Sequence, residues 1–244
     1  CASPSGLCSI HAAIRTANDR PGADTILFTP SAITLTADLP QILDPVTIGP
    51  PSLPRVDLNG NGSNSGLVLD ELAAGSVIRN LVIRNMSGNG ITLTTGTGGN
   101  AIQGCYIGTN PAGSAAAANG GDGISISSPS GPLPPAGLTL IDDNVISGNE
   151  GDGIDIFGPN TTLVTIIRNF IGTDRNGLLA VPNGSGGGDN HGIRISSDAY
   201  GNIIGGAPPT QSNVIAGNDA TIFSDGISVQ GDALLPNVIL GNFI

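Results

Sequence analysis

Residues 123–126 read Gly-Ile-Ser-Ile, and residues 153–156 read Gly-Ile-Asp-Ile. The same tetrad (glycine, aliphatic, any residue, aliphatic) also starts at Gly66, Gly90, Gly192 and Gly226. The intervals between the six copies are 24, 33, 30, 39 and 34 residues. A fixed strand text at irregular intervals describes a coil of constant shape with loops of differing length. Alternation with a period of two turns both aliphatics inward and the middle residue outward. The chain therefore reads as all-β, a single right-handed parallel β-helix whose short strands stack coil upon coil.

The surrounding text agrees. Each tetrad is followed by another aliphatic strand and then an asparagine. Asn80, Asn149, Asn169, Asn218 and Asn242 hold that place, and Cys105 holds it in one coil. Asparagine tolerates left-handed backbone and bonds to neighbouring peptide groups, so these residues are expected at one sharp bend, stacked as an internal ladder. Cys105 in that column reads as a small buried filler. The loops repeat as well. Ile107-Gly-Thr-Asn-Pro-Ala-Gly113 matches Ile171-Gly-Thr-Asp-Arg-Asn-Gly177, 64 residues later, which makes the repeating unit two coils. Before Gly66 the pattern blurs, but Thr25–Phe28, Ile33–Leu35, Val46–Ile48 and Val56–Leu58 read as about two further coils, for about eight in all.

One segment is helical. Ile10, Ala13, Ile14 and Ala17 lie on one stripe, Ser9 is an N-cap, and Pro21-Gly22 stops the segment. A short amphipathic helix before a solenoid is expected to cover its first open coil. Residues 1–24 are read as an N-terminal cap with this helix and residues 25–244 as the β-helix. At the other end, Gly241-Asn-Phe-Ile244 stops where the pattern would continue. The expectation is an excised segment, or an end that pairs with another copy by end-to-end stacking.

Composition narrows the partners. The 244 residues carry 38 glycines and only 3% aromatics, which suits short strands between turns. All eight basic residues are arginine, and the net charge is −11. That excludes a tracker of nucleic-acid phosphates, and it opposes unaided binding of acidic polysaccharides. No apolar run approaches a membrane span, so no membrane insertion is expected. Cys1 and Cys8 flank a turn-like stretch and are the candidate disulfide, which would imply an exported protein.

The text Cys8-Ser-Ile-His-Ala-Ala-Ile-Arg-Thr-Ala-Asn18 resembles the "CSLREA" N-terminal motif of exported bacterial β-helix proteins in the pectate-lyase-like superfamily. Gly22-Ala-Asp-Thr-Ile-Leu-Phe28, Asn144-Val-Ile-Ser-Gly-Asn149, Ile107-Gly-Thr-Asn110 and Asp122-Gly-Ile-Ser-Ile126 extend the resemblance over nearly the whole chain. It implies a right-handed parallel β-helix and an extracellular or cell-surface location in a bacterium. It does not imply one activity. The family motif has Glu where this chain has Ala12, so the helix start lacks a capping box and keeps only the Ser9 cap.

Two columns could carry chemistry. The outward tetrad positions are Val68, Thr92, Ser125, Asp155, Arg194 and Ser228, and the residues before the glycines are Asn89, Asp122, Asp152, His191 and Asp225. Asp152, Asp155, His191 and Arg194 are the candidate catalytic residues for work on a glycosidic bond. Asp122, Asp152 and Asp155 are candidate Ca²⁺ ligands, although no cofactor is required by the pattern. The structural alternative is turn chemistry at the acids and a surface ion pair between Asp155 and Arg194. The signature texts of polygalacturonases and pectate lyases are missing. The expected function is a structural, adhesive or filament-forming solenoid that binds glycan. The alternative is a polysaccharide lyase or glycoside hydrolase acting on an extracellular polysaccharide.

Overall fold

A computed structural model describes residues 8–29, 31–94, 98–128, 138–218, 224–231 and 235–244. The expected Cys1–Cys8 disulfide has one partner, Cys1, outside the described residues. Among those described, the chain is a right-handed parallel β-helix built from three all-parallel sheets and one helix.

The eight-stranded sheet comprises Asp24–Ile26, Val46–Ile48, Val77–Arg79, Ala101–Gln103, Thr139–Asp142, Val164–Ile167, Ile203–Gly205 and Val238–Leu240. The seven-stranded sheet comprises Ala32–Thr34, Val56–Asn59, Leu81–Arg84, Tyr106–Ile107, Val145–Ile146, Phe170–Ile171 and Val214–Ile215. The tetrads form the six-stranded sheet: Leu67–Leu69, Ile91–Thr94, Ile124–Ser127, Ile154–Phe157, Ile193–Ser196 and Ile227–Val229. Each full coil visits the eight-, seven- and six-stranded sheets in that order and then climbs one strand spacing, ~4.8 Å.

Inward side chains stack like on like. Ile78, Ile102, Ile141, Ile166 and Ile204 lie in register in the eight-stranded sheet, and all are fully buried. Ile91, Ile124, Ile154 and Ile193 do the same in the six-stranded sheet. Each such burial contributes about 1.5–3 kcal/mol before the entropy of ordering the chain is charged against it.

The helix (α1, Ile10–Asn18) covers the first coil. Ser9 Oγ accepts the Ala12 N–H at 3.2 Å, and Ile10, Ile14 and Ala17 are buried against the core. Asn18 ties the helix down, donating to the Gln41 carbonyl at 2.7 Å and accepting from the Leu43 N–H at 2.9 Å.

The single asparagine column predicted from the sequence is in fact two long ladders. One, between the eight- and seven-stranded sheets, runs Asn144, Asn169, Asn213, Asn242. The other, between the seven- and six-stranded sheets, runs Asn119, Asn149, Asn183, Asn218. Asn169 and Asn242 thus belong to the first ladder, and Asn149 and Asn218 to the second. In each ladder a side-chain carbonyl accepts from the asparagine one coil below. Asn144 donates to Asn169 Oδ1 through both its backbone N–H (3.0 Å) and Nδ2 (2.9 Å), and gives its other Nδ2 proton to the Ile102 carbonyl.

Asn80 is in neither ladder. It is the left-handed residue of its bend, with φ 51°, the role taken by Asp143 (57°) and Arg168 (58°) in later coils. Those bends have the same number of residues as the Asn80 bend, and the position after the left-handed residue holds the ladder asparagine. In the Asn80 coil the inward residue is instead Leu81, and in the next coil it is Cys105. Cys105 is fully buried, donates its N–H to Asn144 Oδ1 at 2.8 Å, and burial pushes its thiol up to about 11.

The tetrad glycine is explained by close approach. Gly123 does not have positive φ. A Cβ there would lie 2.6 Å from the Gly153 carbonyl oxygen, 2.7 Å from Ile146 and 2.8 Å from Asn149 Nδ2. Gly88, by contrast, has open space around it. Gly123→Ala is expected to destabilise the fold by about 1–3 kcal/mol, whereas Gly88→Ala should change stability by less than about 0.5 kcal/mol. Urea unfolding of both variants checks this, and equal midpoints would contradict it.

Candidate functional site

The outer face of the six-stranded sheet carries the candidate residues. Its register places Val68, Thr92, Ser125, Asp155, Arg194 and Ser228 in one column, each beside the next. Two residues further along, Ser127, Phe157 and Ser196 form a parallel row. Phe157 is 36% exposed there, between two small neighbours.

The column before the glycines is a further ladder, this one on the flank of the coil. The Asp122 N–H donates to Asn89 Oδ1 at 2.8 Å, and the Asp152 N–H to Asp122 Oδ1 at 2.9 Å. The His191 N–H donates to Asp152 Oδ1, and the Asp225 N–H to His191 Nδ1 at 3.0 Å. Each side chain therefore satisfies a main-chain N–H that leaves the bend without a strand partner. This role was missed in the sequence, where the column read as turn residues or as a catalytic row. The usable signal was the acceptor at every position, Asn, Asp, Asp and His, on four successive coils.

These bonds fix the chemistry. Because His191 Nδ1 accepts, the ring proton sits on Nε2. That Nε2 is buried and makes no hydrogen bond, with the exposed Asp189 carboxylate 3.4 Å away but out of line. Asp152 is buried. Burial, with Asp122 and Asp155 nearby, pushes its carboxyl up to about 7 against the opposing His191 hydrogen bond and Arg194 charge. Burial and Asp122 push Asp155 up to about 6, with Arg194 again opposing. Asp122 is raised by burial as well.

The expected ion pair between Asp155 and Arg194 is replaced by another. Arg194 Nη1 lies 4.0 Å from Asp152 Oδ2. Side chains on a strand lean along it, so the guanidinium reaches the neighbouring column rather than the residue directly across. Asp155 Oδ1 and Arg194 Nε are both left buried and without hydrogen bonds.

The structure thus brings Asp122, Asp152, Asp155, His191 and Arg194 onto one face. It does not assemble the calcium set. Among the described residues no group of three or more His, Cys, Asp or Glu side chains is arranged to hold a metal ion. Asp122 and Asp152 each commit one oxygen to the ladder, which removes it from a coordination shell. The other close carboxylate pairs, Arg84 with Asp57 and Arg168 with Asp142, hold adjacent coils together on the outside of the solenoid. No helix among the described residues is long and apolar enough to cross a membrane.

No family model, curated protein or solved structure matches the chain.

The raised Asp152 carboxyl has a consequence for stability. Between its unfolded value near 3.8 and about 7 the folded chain binds more protons than the unfolded chain, so this group's contribution falls as pH rises through that window. Asp152→Asn keeps an acceptor for the His191 N–H and removes the buried charge. Its melting temperature should exceed that of the parent at about pH 8 and converge with it near about pH 5. Thermal unfolding across that range checks the sign. A variant less stable than the parent at pH 8 would refute it.

Proposed function

We propose that this chain is a bacterial extracellular or surface-borne β-solenoid with a structural or adhesive role, binding polysaccharide along the outer face of its six-stranded sheet. The observation that carries the reading is the pair Asp155 Oδ1 and Arg194 Nε. These are a buried acceptor and a buried donor on adjacent strands, both without partners. Leaving such groups unsatisfied costs about 1–3 kcal/mol each, and a polyol that drew the two side chains outward would satisfy both. The resemblance of Cys8–Asn18 to the CSLREA motif supports export, and the resemblance of the coil texts to pectate-lyase-like β-helices supports a carbohydrate partner. The −11 charge without lysine weighs against nucleic acid.

A second reading, cleavage of the bound glycan by a lyase or hydrolase, is favoured by one observation. Asp152 at about 7 and Asp155 at about 6 sit in the range where a carboxyl exchanges protons near neutral pH.

Affinity electrophoresis through a panel of polysaccharides tests the binding reading. The parent chain should be retarded by at least one polymer, and Arg194→Ala with Asp155→Asn should run freely while its circular dichroism is unchanged. Equal retardation of parent and variant, or none with any polymer, refutes it. Release of reducing ends or unsaturated products, lost in Asp155→Asn, would establish the second reading.

A further inference from the structure

Three properties of the same face constrain what kind of sugar it can take. The first is charge. Asp122, Asp152 and Asp155 surround one guanidinium, Arg194, and the exposed Asp189 and Asp225 stand at the rim beside His191. A uronate chain would bring further carboxylates into this field. The usual remedy is a bridging divalent cation, but the described residues offer no chelating set for one.

The second is an exposed ring. Phe157 stands on the outer face two residues from Asp155, roughly 6.6 Å along the strand at the usual rise. Its neighbours in the row, Ser127 and Ser196, are too small to cover it. A half-open aromatic beside polar groups offers an apolar platform to the C–H face of a pyranose.

The third is the pattern of hydrogen-bond demand. Asp155 Oδ1 only accepts, and Arg194 Nε only donates. They lie on strands ~4.8 Å apart. A pair of vicinal hydroxyls, one donating and one accepting, answers both at once. A uronate ring offers the same diol, so discrimination against it rests on the acidic field alone. The buried Nε2–H of His191, without a hydrogen bond, adds a further donor on the flank.

Resting on the glycan-binding reading above, we propose that this face is a subsite for a neutral hexose polymer, with one ring stacked on Phe157 and a vicinal diol held between Asp155 and Arg194. Uronate polymers are excluded, with or without calcium. Specificity then comes from the acidic field, and affinity from the ring and the diol.

The test compares soluble neutral glucan, mannan and galactan with polygalacturonate and alginate, each with and without added Ca²⁺. The proteins are the parent chain, Phe157→Ala, and Leu178→Ala as a control at an exposed loop residue off this face. Retardation by a neutral polymer is expected, weakened on the order of tenfold in Phe157→Ala and unchanged in Leu178→Ala. Retardation by uronates alone overturns the inference and leaves the glycan-binding reading standing. So does neutral binding that Phe157→Ala does not weaken. No retardation by any polymer removes both.

Discussion

An amide passing over a bare α-carbon holds this solenoid together. At Gly90, Gly123, Gly153 and Gly192 the ladder asparagine of the following coil comes so close that a methyl group would not fit. Asn149 lies over Gly123 in this way, and Asn218 over Gly192. The same asparagine donates inward to a main-chain carbonyl, as Asn149 does to Ile107 and Asn218 to Ile171. Polar groups at a tight bend would otherwise be buried without partners, and the aliphatic alternation by itself guards register only against a one-residue slip. The ladders supply both satisfaction and register, which allows the core to be little more than columns of Ile, Leu and Val.

The same device, moved to the outside of the coil, builds the candidate site. Asn89, Asp122, Asp152 and His191 each accept a main-chain N–H from the next coil, so their side chains are placed as rigidly as the strands themselves. Replacing an amide by a carboxyl in such a ladder keeps the acceptor and adds a charge that burial opposes. That is why the two ladder acids on successive turns, Asp122 and Asp152, are both raised, with Asp155 raised by burial beside them. Arg194 relieves Asp152 in part and, by leaning toward it, leaves Asp155 Oδ1 without a hydrogen-bond partner.

Much of the fold was legible because the strand text is rigid. The tetrads at Gly66, Gly90, Gly123, Gly153, Gly192 and Gly226 became the strands of one sheet, and the spacing alone set Asp155 beside Arg194. The cap helix was legible from Ser9 and the Ile10/Ile14/Ala17 stripe. The bends were not. Asn80 and Asn169 look equivalent in sequence, yet they hold successive positions of the same bend, one the left-handed hinge and the other an interior ladder rung. Periodicity of side chains along strands says nothing about that one-position offset. Nor could the sequence show which carboxylate Arg194 would choose. That depends on how a long side chain leans across columns separated by a few ångströms. Asn144 and Asn213, ladder members as central as Asn169, went unmarked because the bend text around them varies.

Native-state hydrogen exchange tests the ladder account most directly. The amide protons of Cys105, Asn144, Asn149 and Asn169, which donate to ladder side chains rather than to strands, are predicted to exchange as slowly as those of Ile124 and Ile154 in the core sheet. Fast exchange at those four amides, with the strands still protected, would show that the bends open independently and that the ladders do not hold the coils together.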